Sequence, residues 1–333
     1  MIYTSILESP IEISGLAVAE GDRFFRLPED LIDHVSEGVS VRARHTAGGC
    51  VRFATDSASI GLRVSLRYTG VSNHMPLSGR SGVDVYFDGL FAASVCPGGV
   101  DDAEYAGTAV RPTVLEAGMH QVEIFLPLYN GITAMEIGIE DDARLRAPAP
   151  HKVPKPLVFY GSSITQGGCA SKPGNSYCAM LARWLGAGLI NLGFGGNCKG
   201  EENVAAYIAS LEMSVFLLDY DHNAPNADHL QNTHSRFFRI IREKQPELPI
   251  VIVTKPDFDS DPRVNAIRRA VIFETYADAV KNGDKKVWFV DGETLFGHHD
   301  RGACTVDGCH PTDLGFYRMA ETLLPFVREA LNQ

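Results

Sequence analysis

Apolar and polar residues alternate along much of the first part of the chain, from Arg23 to about Glu140. The clearest stretches with this two-residue period are residues 51–54, 60–68, 83–87, 122–126 and 135–139. Alternation with period two places successive side chains on opposite faces of a strand, and Asp88-Gly89 between two such runs is typical of a hairpin turn. Short strands at this spacing predict an antiparallel β-sandwich, of jelly-roll type.

The pattern changes after residue 156, where short apolar runs alternate with stretches of helical spacing. The predicted strands are residues 157–160, 189–192, 215–218, 250–253 and 287–290. The predicted helices are residues 176–185, 204–211, 228–244, 262–281 and 314–331. Continuously apolar strands that alternate with helices predict a parallel sheet covered by helices on both faces. The second part of the chain is therefore predicted to be an α/β domain.

A proline-rich segment separates the two patterns. Prolines at positions 148, 150, 154 and 156 exclude a helix and predict a stiff connector. The charge changes at the same place: the first 150 residues hold 11 Arg, no Lys and 20 acidic residues, a net −9 of the total −11. We therefore predict a β-sandwich over residues 1–147, a linker over 148–156 and an α/β domain over 157–333.

Composition narrows the class of protein. The 333 residues are 45% hydrophobic and 21% charged, which is typical of a globular chain. The net charge of −11 argues against nucleic acid or an anionic membrane as a partner. No apolar stretch reaches the ~18 residues of a membrane span, and the first residues lack the pattern of a signal peptide. With seven cysteines, an odd number, the sequence predicts a cytoplasmic protein with reduced thiols.

Four polar or glycine-rich sequences are predicted to meet at one edge of the parallel sheet. Three follow predicted strands and one precedes the last helix, at residues 160–167, 191–197, 219–225 and 307–311. Ligands of such sheets bind at the carboxyl ends of the strands. The functional site is therefore expected at this edge.

The residue types at this edge are those of nucleophilic acyl transfer. A serine hydroxyl needs a general base within hydrogen-bond reach, and Asp307 and His310 lie three residues apart, where the carboxylate orients the imidazole. Glycines after the second strand leave a backbone N–H open to a developing oxyanion. Asn223 offers a side-chain amide for the same purpose. These motifs together predict a serine hydrolase site.

The order of the motifs resembles that of the SGNH (GDSL-type) hydrolase superfamily, over about residues 157–333. The family's Gly-Asp-Ser block matches Gly161-Ser162-Ser163, and its last block matches Asp307 and His310. The resemblance implies a flavodoxin-like three-layer α/β/α domain, with Ser163, Asp307 and His310 as the catalytic triad. It also implies an oxyanion hole formed by the amides of Ser163 and Gly196 and the side chain of Asn223.

The chain also resembles one subgroup of this superfamily, whose members have an N-terminal β-sandwich before the α/β domain. This subgroup includes carbohydrate acetyl esterases. We therefore predict a serine esterase that hydrolyses short-chain, acetyl esters on carbohydrates such as xylo- or manno-oligosaccharides. The acyl group passes through an acyl-enzyme on Ser163. No cofactor and no metal are expected. The predicted partner is a small-molecule or oligosaccharide ester, with a homo-oligomer left open.

Several alternatives stay open at this point. The same triad serves an acyltransferase if a sugar or other hydroxyl replaces water, and a catalytically inactive carbohydrate-binding protein is an alternative of another class. Ser162 replaces the usual aspartate of the family, so either serine can be the nucleophile, and Ser163 can instead be a helix cap. Asp221 stands where the family has a glycine, which leaves the role of Asn223 open.

Four further residues are candidates for the pocket: Ser162, Tyr160, Phe194 and His222. Tyr160 and Phe194 flank the same edge of the sheet, and ordinary core packing is the alternative for both. A zinc site around Cys304, Cys309 and His310 is a weaker alternative, because the sequence has no second paired motif.

Overall fold

Two large antiparallel sheets and a separate two-stranded sheet, made by the third and fourth strands, form the first part of the molecule. The computed structural model describes residues 1–333 with the side chain of Phe258 excepted. The strands of this part are β1 (Ile2–Ser5), β2 (Glu12–Ser14), β3 (Val18–Glu20), β4 (Arg23–Phe25), β5 (Cys50–Thr55), β6 (Ser59–Leu66), β7 (Val83–Phe87), β8 (Leu90–Val95), β9 (Glu104–Val110), β10 (His120–Phe125), β11 (Ile132–Ile139) and β12 (Leu145–Arg146). One large sheet has the order β1-β11-β6-β9, and the other has β12-β5-β10-β7-β8 with β2 beside β5.

The two large sheets pack face to face over an apolar core, because alternate residues of each strand point inward. Val51, Phe53, Leu62, Val64 and Val85 are among the buried side chains of this core. The predicted hairpin is present between β7 and β8, where Asp88 and Gly89 have φ angles of 48° and 79°. The β-sandwich is therefore confirmed, while its jelly-roll type stays a prediction.

Three short helices accompany the sandwich, and the remaining helices belong to the second part. The short helices are α1 (Glu29–Ile32), α2 (Glu37–Ala43) and α3 (Leu77–Ser81). The later helices are α4 (Ser163–Gln166), α5 (Tyr177–Leu185), α6 (Glu202–Ser210), α7 (Ala227–Lys244), α8 (Pro262–Lys281) and α9 (Asp313–Leu331). No helix in the described part of the chain is both long enough and apolar enough to cross a membrane.

Five parallel strands form the central sheet of the second part. They are β13 (Val153–Gly161), β14 (Ala187–Gly193), β15 (Val215–Asp219), β16 (Ile250–Val253) and β17 (Val287–Val290), in the order β14-β13-β15-β16-β17. Both faces of the sheet are covered: Leu157 and Phe159 pack towards α5 and α9, whereas Val158 and Tyr160 pack towards α6 and α7. This strand order is that of a flavodoxin-like α/β/α fold, which confirms the predicted class.

Strand β13 begins at Val153, inside the segment that the sequence predicts as linker. Val153 pairs with Ala187, and the register then shifts before Leu157 pairs with Leu189. Pro154 and Pro156 lie in this irregular stretch, where the missing N–H of a proline is tolerated. The prolines therefore mark the irregular start of a strand as well as a connection, and the domain boundaries themselves stay predictions.

The first half of the chain also packs directly on the α/β domain. Phe25, Leu27, Ile32 and Val39 share an apolar cluster with residues of the parallel sheet and helices α6 and α7. The two parts therefore form a continuous packed structure around one edge of the sheet.

Candidate active site

Ser163 lies two residues after the last residue of strand β13, at the first position of α4. The Ser162 side chain accepts a hydrogen bond from the Ile164 N–H at 3.1 Å, so Ser162 is the helix cap. A Cβ on Gly161 would collide with the Thr165 side chain and lie 2.7 Å from the Asp219 oxygen, which explains the glycine in this tight turn. Of the two adjacent serines, only Ser163 is left with its hydroxyl directed towards His310.

The three residues predicted as a catalytic triad lie in one hydrogen-bonded line. Ser163 Oγ is 2.9 Å from His310 Nε2, and His310 Nδ1 is 2.7 Å from Asp307 Oδ2. The Asp307 carboxylate favours the tautomer of His310 that carries its proton on Nδ1. Nε2 is then free to accept the serine proton. This geometry is that of a nucleophile, a general base and a residue that orients the base.

Asp307 and His310 are carried by a tight loop that precedes α9. Gly308 has a φ of +84°, and the Val306 N–H donates to the His310 carbonyl at 2.9 Å. Burial acts to raise the pKa of Asp307, but hydrogen bonds from the His310 ring and from the backbone N–H groups of His310 and Cys309 outweigh it and lower the pKa to about 2. The carboxylate therefore carries a negative charge throughout the neutral range.

Gly196 has the free amide that the predicted oxyanion hole requires. Gly193 N–H donates to the Asn191 side chain and Gly195 N–H to the Gln166 side chain, each at 2.9 Å. Gly196 is exposed with a φ of +76°, and within the described part of the chain no group accepts its N–H. Of the three glycines after β14, only Gly196 has an N–H available to a ligand.

Asn223 is held in a loop that follows β15. Its Oδ1 accepts from the Cys198 N–H at 3.3 Å, which leaves the amide nitrogen of the side chain as a donor. Asp221, the departure from the family pattern, is 1% exposed and forms an ion pair with Arg268 at 2.8 Å. It also accepts from the Lys255 N–H at 3.1 Å. These contacts fix the loop without the usual glycine.

Two of the residues predicted for the pocket do not line it. Tyr160 is 1% exposed and stacks on Phe237, with ring centroids 4.4 Å apart. Phe194 is fully buried, and the Arg26 guanidinium lies 5.0 Å from its ring centroid. Both side chains therefore pack in the core, the alternative that the sequence left open, because helices cover both faces of a parallel sheet.

The other two pocket candidates have different surroundings. Ser162 is 2% exposed and occupied as a helix cap. His222 is half-buried beside the triad, with Nε2 2.7 Å from Asp257 Oδ1 and Nδ1 3.9 Å from Cys309 Sγ. The zinc site that the sequence left open around Cys304, Cys309 and His310 is not formed as it was described. The side chain of Cys304 is fully buried, and its sulfur contacts Phe296 and Arg318 instead.

Residues of the sandwich reach the site, and sequence reasoning missed them. Tyr129 donates to the Ser163 carbonyl at 3.1 Å, and the ring of His74 lies 5.2 Å from that of His310. Arg26 is 1% exposed and donates to the carbonyls of Asn191 at 2.9 Å and Gly193 at 2.6 Å. Single residues in a β-rich region carry no local motif, so only the tertiary structure identifies them.

Comparison with family models identifies the class of protein. The model of the GDSL-like Lipase/Acylhydrolase family matches residues 154–328, more than half of the chain. The model described as the N-terminus of Esterase_SGNH_hydro-type matches residues 1–145. The chain therefore belongs to the GDSL-like lipase/acylhydrolase family, with the two-domain organisation of SGNH-type esterases.

Solved structures resemble the chain over nearly its whole length. A Bacteroides ovatus ATCC 8483 protein, whose structure carries the name GDSL-like lipase, is 29% identical with a TM-score of 0.87, covering 99% of this chain and 98% of that one. The salicylyl-acyltransferase SsfX3 from a tetracycline biosynthetic pathway is 22% identical with a TM-score of 0.79, covering 98% and 97%. The acetyl xylan esterase Est2A from Butyrivibrio proteoclasticus is 16% identical with a TM-score of 0.62, covering 100% of both chains. No curated protein gives a significant match.

Proposed function

We propose that this protein is a serine esterase that removes acetyl or other short acyl groups from carbohydrates, through an acyl-enzyme on Ser163. The observation that carries the proposal is the line from Ser163 Oγ to His310 Nε2 at 2.9 Å and from His310 Nδ1 to Asp307 at 2.7 Å. Membership of an acylhydrolase family supports the ester bond as the reacting group.

Each residue of the site has one task in the proposed reaction. His310 takes the proton of Ser163 as the serine oxygen attacks the ester carbonyl, and Asp307 stabilises the imidazolium that forms. The amides of Ser163 and Gly196 and the side chain of Asn223 stabilise the oxyanion. His310 then gives its proton to the leaving alcohol, and water hydrolyses the acyl-enzyme by the same route.

A carbohydrate as the alcohol is supported by the two-domain fold. Est2A, an acetyl xylan esterase by its name, aligns with this chain over the full length of both chains, sandwich and α/β domain included, with a TM-score of 0.62. The sandwich brings the exposed His74 to the side of the triad, where a bound alcohol would pass, and the buried Tyr129 donates to the Ser163 carbonyl. Residues of both domains are therefore available to contact the substrate.

A matched pair of serine variants tests the nucleophile. Ser163→Ala should reduce hydrolysis of an aryl acetate by at least about 10³-fold, because the attacking oxygen is lost. Ser162→Ala should retain most of the activity and destabilise the protein by about 1 kcal/mol, the usual cost of a lost helix cap. The measurements are kcat/KM and the unfolding midpoint of both variants. Full activity in Ser163→Ala would assign the reaction to another group.

Substrate choice is tested on the wild-type protein with two sets of esters. The first set is aryl acetate, butyrate and longer aryl esters, and the second is acetylated xylo- and manno-oligosaccharides. We expect the acetyl ester to be the best of the first set and acetate release from the second set. Product analysis with an added sugar acceptor separates hydrolysis from acyl transfer, the activity that the name of SsfX3 states. A majority of transferred acyl groups would make the protein an acyltransferase.

A further inference from the structure

A cluster of cysteine, histidine and aspartate lies beside the proposed triad. Cys309 Sγ is 3.9 Å from His222 Nδ1, and His222 Nε2 is 2.7 Å from Asp257 Oδ1. Asp257 is itself held, because its Oδ2 is 3.4 Å from Lys255 Nζ and accepts from Ser260 Oγ at 3.1 Å. The imidazole of His222 therefore has a sulfur at one nitrogen and a carboxylate at the other, the arrangement of an activated nucleophile.

The basicity of His222 suits this arrangement. Its side chain is 12% exposed, and that of Asp257 is 6% exposed. Burial acts to lower the pKa of His222, but the contacts with Asp257 and Cys309 outweigh it and raise the pKa to about 10. The ring is therefore a strong base, and its Nδ1 faces the thiol of Cys309. A base at this position can take the thiol proton, and the thiolate that results is the reactive form of a cysteine.

The accessibility of the thiols singles out two cysteines. The buried ones are Cys50, Cys169, Cys178, Cys198 and Cys304. Cys96 and Cys309 are half-buried. Cys96 follows β8 in the sandwich, and the contacts of the described residues place no histidine against it. Cys96 is therefore an internal control of similar exposure for the reactivity of Cys309.

The position of Cys309 connects it to the site. Cys309 is bonded to His310, the proposed base, and its sulfur faces His222, which is bonded to Asn223, the proposed oxyanion donor. Neighbouring Cα atoms are only ~3.8 Å apart. A bulky group attached to the sulfur would therefore lie against the loops that carry His310 and Asn223.

The same three side chains have atoms within 4.8 Å of one another, which also suits a metal ion. The carboxylate of Asp257, however, engages Nε2 of His222 and the sulfur faces Nδ1. A cation held by all three residues would have to displace one of these contacts. The geometry as it stands therefore favours a thiol prepared for reaction.

We propose that Cys309 is a modification site that reacts with low-molecular-weight disulfides and thereby closes the ester site. The thiol proton passes to His222, and the thiolate attacks one sulfur of the disulfide R–S–S–R. The bond between Cys309 and that sulfur forms as the original S–S bond breaks, and the released R–S⁻ takes up a proton. Only the effect on hydrolysis rests on the proposed function; the reactivity of the thiol does not.

The reactivity is tested by labelling the full chain with oxidised glutathione at pH 7 and mapping the modified peptides over time by mass spectrometry. Cys309 should react at least about tenfold faster than Cys96, because Cys309, unlike Cys96, faces a histidine that can take its proton. The variant His222→Gln should lower the labelling rate of Cys309 to that of Cys96 and leave the labelling rate of Cys96 unchanged. His229→Gln is the matched control, since this histidine contacts the Lys199 carbonyl at 2.9 Å, away from Cys309. Equal rates at the two cysteines in the wild-type protein would overturn the proposal.

The regulatory effect is tested with an aryl acetate as substrate. Activity should fall in proportion to the labelling of Cys309 and return with dithiothreitol, whereas Cys309→Ser should keep its activity in oxidised glutathione. Full activity of the labelled protein, or equal loss in Cys309→Ser, would refute the closure of the site. Zinc chloride titration is a further arm: saturable binding that is lost in Cys309→Ser, His222→Gln and Asp257→Asn would make the cluster a metal site instead. If the wild-type protein hydrolyses no ester, the proposed function fails, and the labelling rates still decide the reactivity of Cys309.

Discussion

At the scale of single residues, neighbouring side chains of the same type have different tasks. The hydroxyl of Ser162 is occupied by the Ile164 N–H, whereas that of Ser163 faces His310. Aspartate and serine are both strong helix caps, which explains how Ser162 replaces the aspartate usual in this family. The cap turns Ser162 away and leaves Ser163 as the proposed nucleophile.

Asn223 provides a prediction at this scale. Asn223→Ala should lower kcat for aryl acetate by about 10²–10³-fold with little change in KM, because an oxyanion donor acts mainly in the transition state. Asn226→Ala is the matched control: Asn226 caps α7 by accepting from His229 N–H at 2.8 Å. The control should lose stability but keep its kcat. An unchanged kcat in Asn223→Ala would remove Asn223 from the proposed oxyanion hole.

The sequence predicted the polar residues of the site better than its apolar neighbours. Ser163, Asp307 and His310 stand in motifs whose spacing and order are diagnostic, and the structure brings their side chains together. For Tyr160 and Phe194 the sequence left both the pocket and the core open, and the structure buries both, since a sequence does not tell which face of a doubly covered sheet receives an aromatic ring. Their positions depend on packing with helices distant in the chain.

At the scale of secondary-structure elements, the loop before α9 is the most informative. It presents Asp307 and His310 three residues apart, and two backbone N–H groups of the loop donate to the carboxylate of Asp307 at 2.7 and 3.0 Å. The turn thus orients the carboxylate before it contacts the imidazole. Gly308, at a φ of +84°, adopts the left-handed conformation that this tight turn requires.

Asp307→Asn tests the role of this loop. We expect kcat to fall by about 10²–10⁴-fold, because an amide does not hold the imidazole in the required tautomer or stabilise its charge. Since the pKa of Asp307 is lowered to about 2, the stability that its carboxylate contributes is complete above its ordinary pKa and is lost only as the pH falls towards 2. The carboxylate is therefore charged at both pH 6 and pH 9, and the loss in kcat should be present at both.

The control for this variant is Asp300→Asn, an exposed aspartate seven positions earlier in the chain. It should leave kcat unchanged at both pH values. A loss in Asp307→Asn that appears at pH 9 and vanishes at pH 6 would contradict the low pKa of Asp307.

At the scale of the whole molecule, the acidic first half of the chain contacts and holds the loop that carries Gly196. Arg26 is buried and links the first half to the loop of Gly196: it donates to the Gly193 carbonyl at 2.6 Å and to the His45 carbonyl at 3.1 Å. Burial lowers the pKa of Arg26 to about 9, which leaves it charged at pH 7. The change in composition near residue 150 predicted two parts but not this contact, because it joins residues more than 160 positions apart.

Arg26→Met tests whether the first half supports the site. The variant leaves several buried carbonyls without a donor, so the free energy of unfolding should fall by about 3 kcal/mol. The kcat for aryl acetate should fall as well, because the loop that carries Gly196 loses its anchor. Arg23→Met is the matched control: this arginine is exposed and pairs with Glu20 and Glu29. The control should keep the wild-type unfolding midpoint and kcat, and equal behaviour of the two variants would contradict the proposed anchor.

The central claim, that Ser163 is the nucleophile of a working triad, is tested most directly by covalent trapping. The wild-type protein is treated with a serine-directed aryl phosphonate until hydrolysis of aryl acetate stops, and the modified peptide is identified by mass spectrometry. The account predicts one phosphonyl group per chain, on Ser163, with no labelling of Ser163→Ala and normal labelling of Ser162→Ala. A phosphonyl group on Ser162, or an active protein that takes up none, would contradict it.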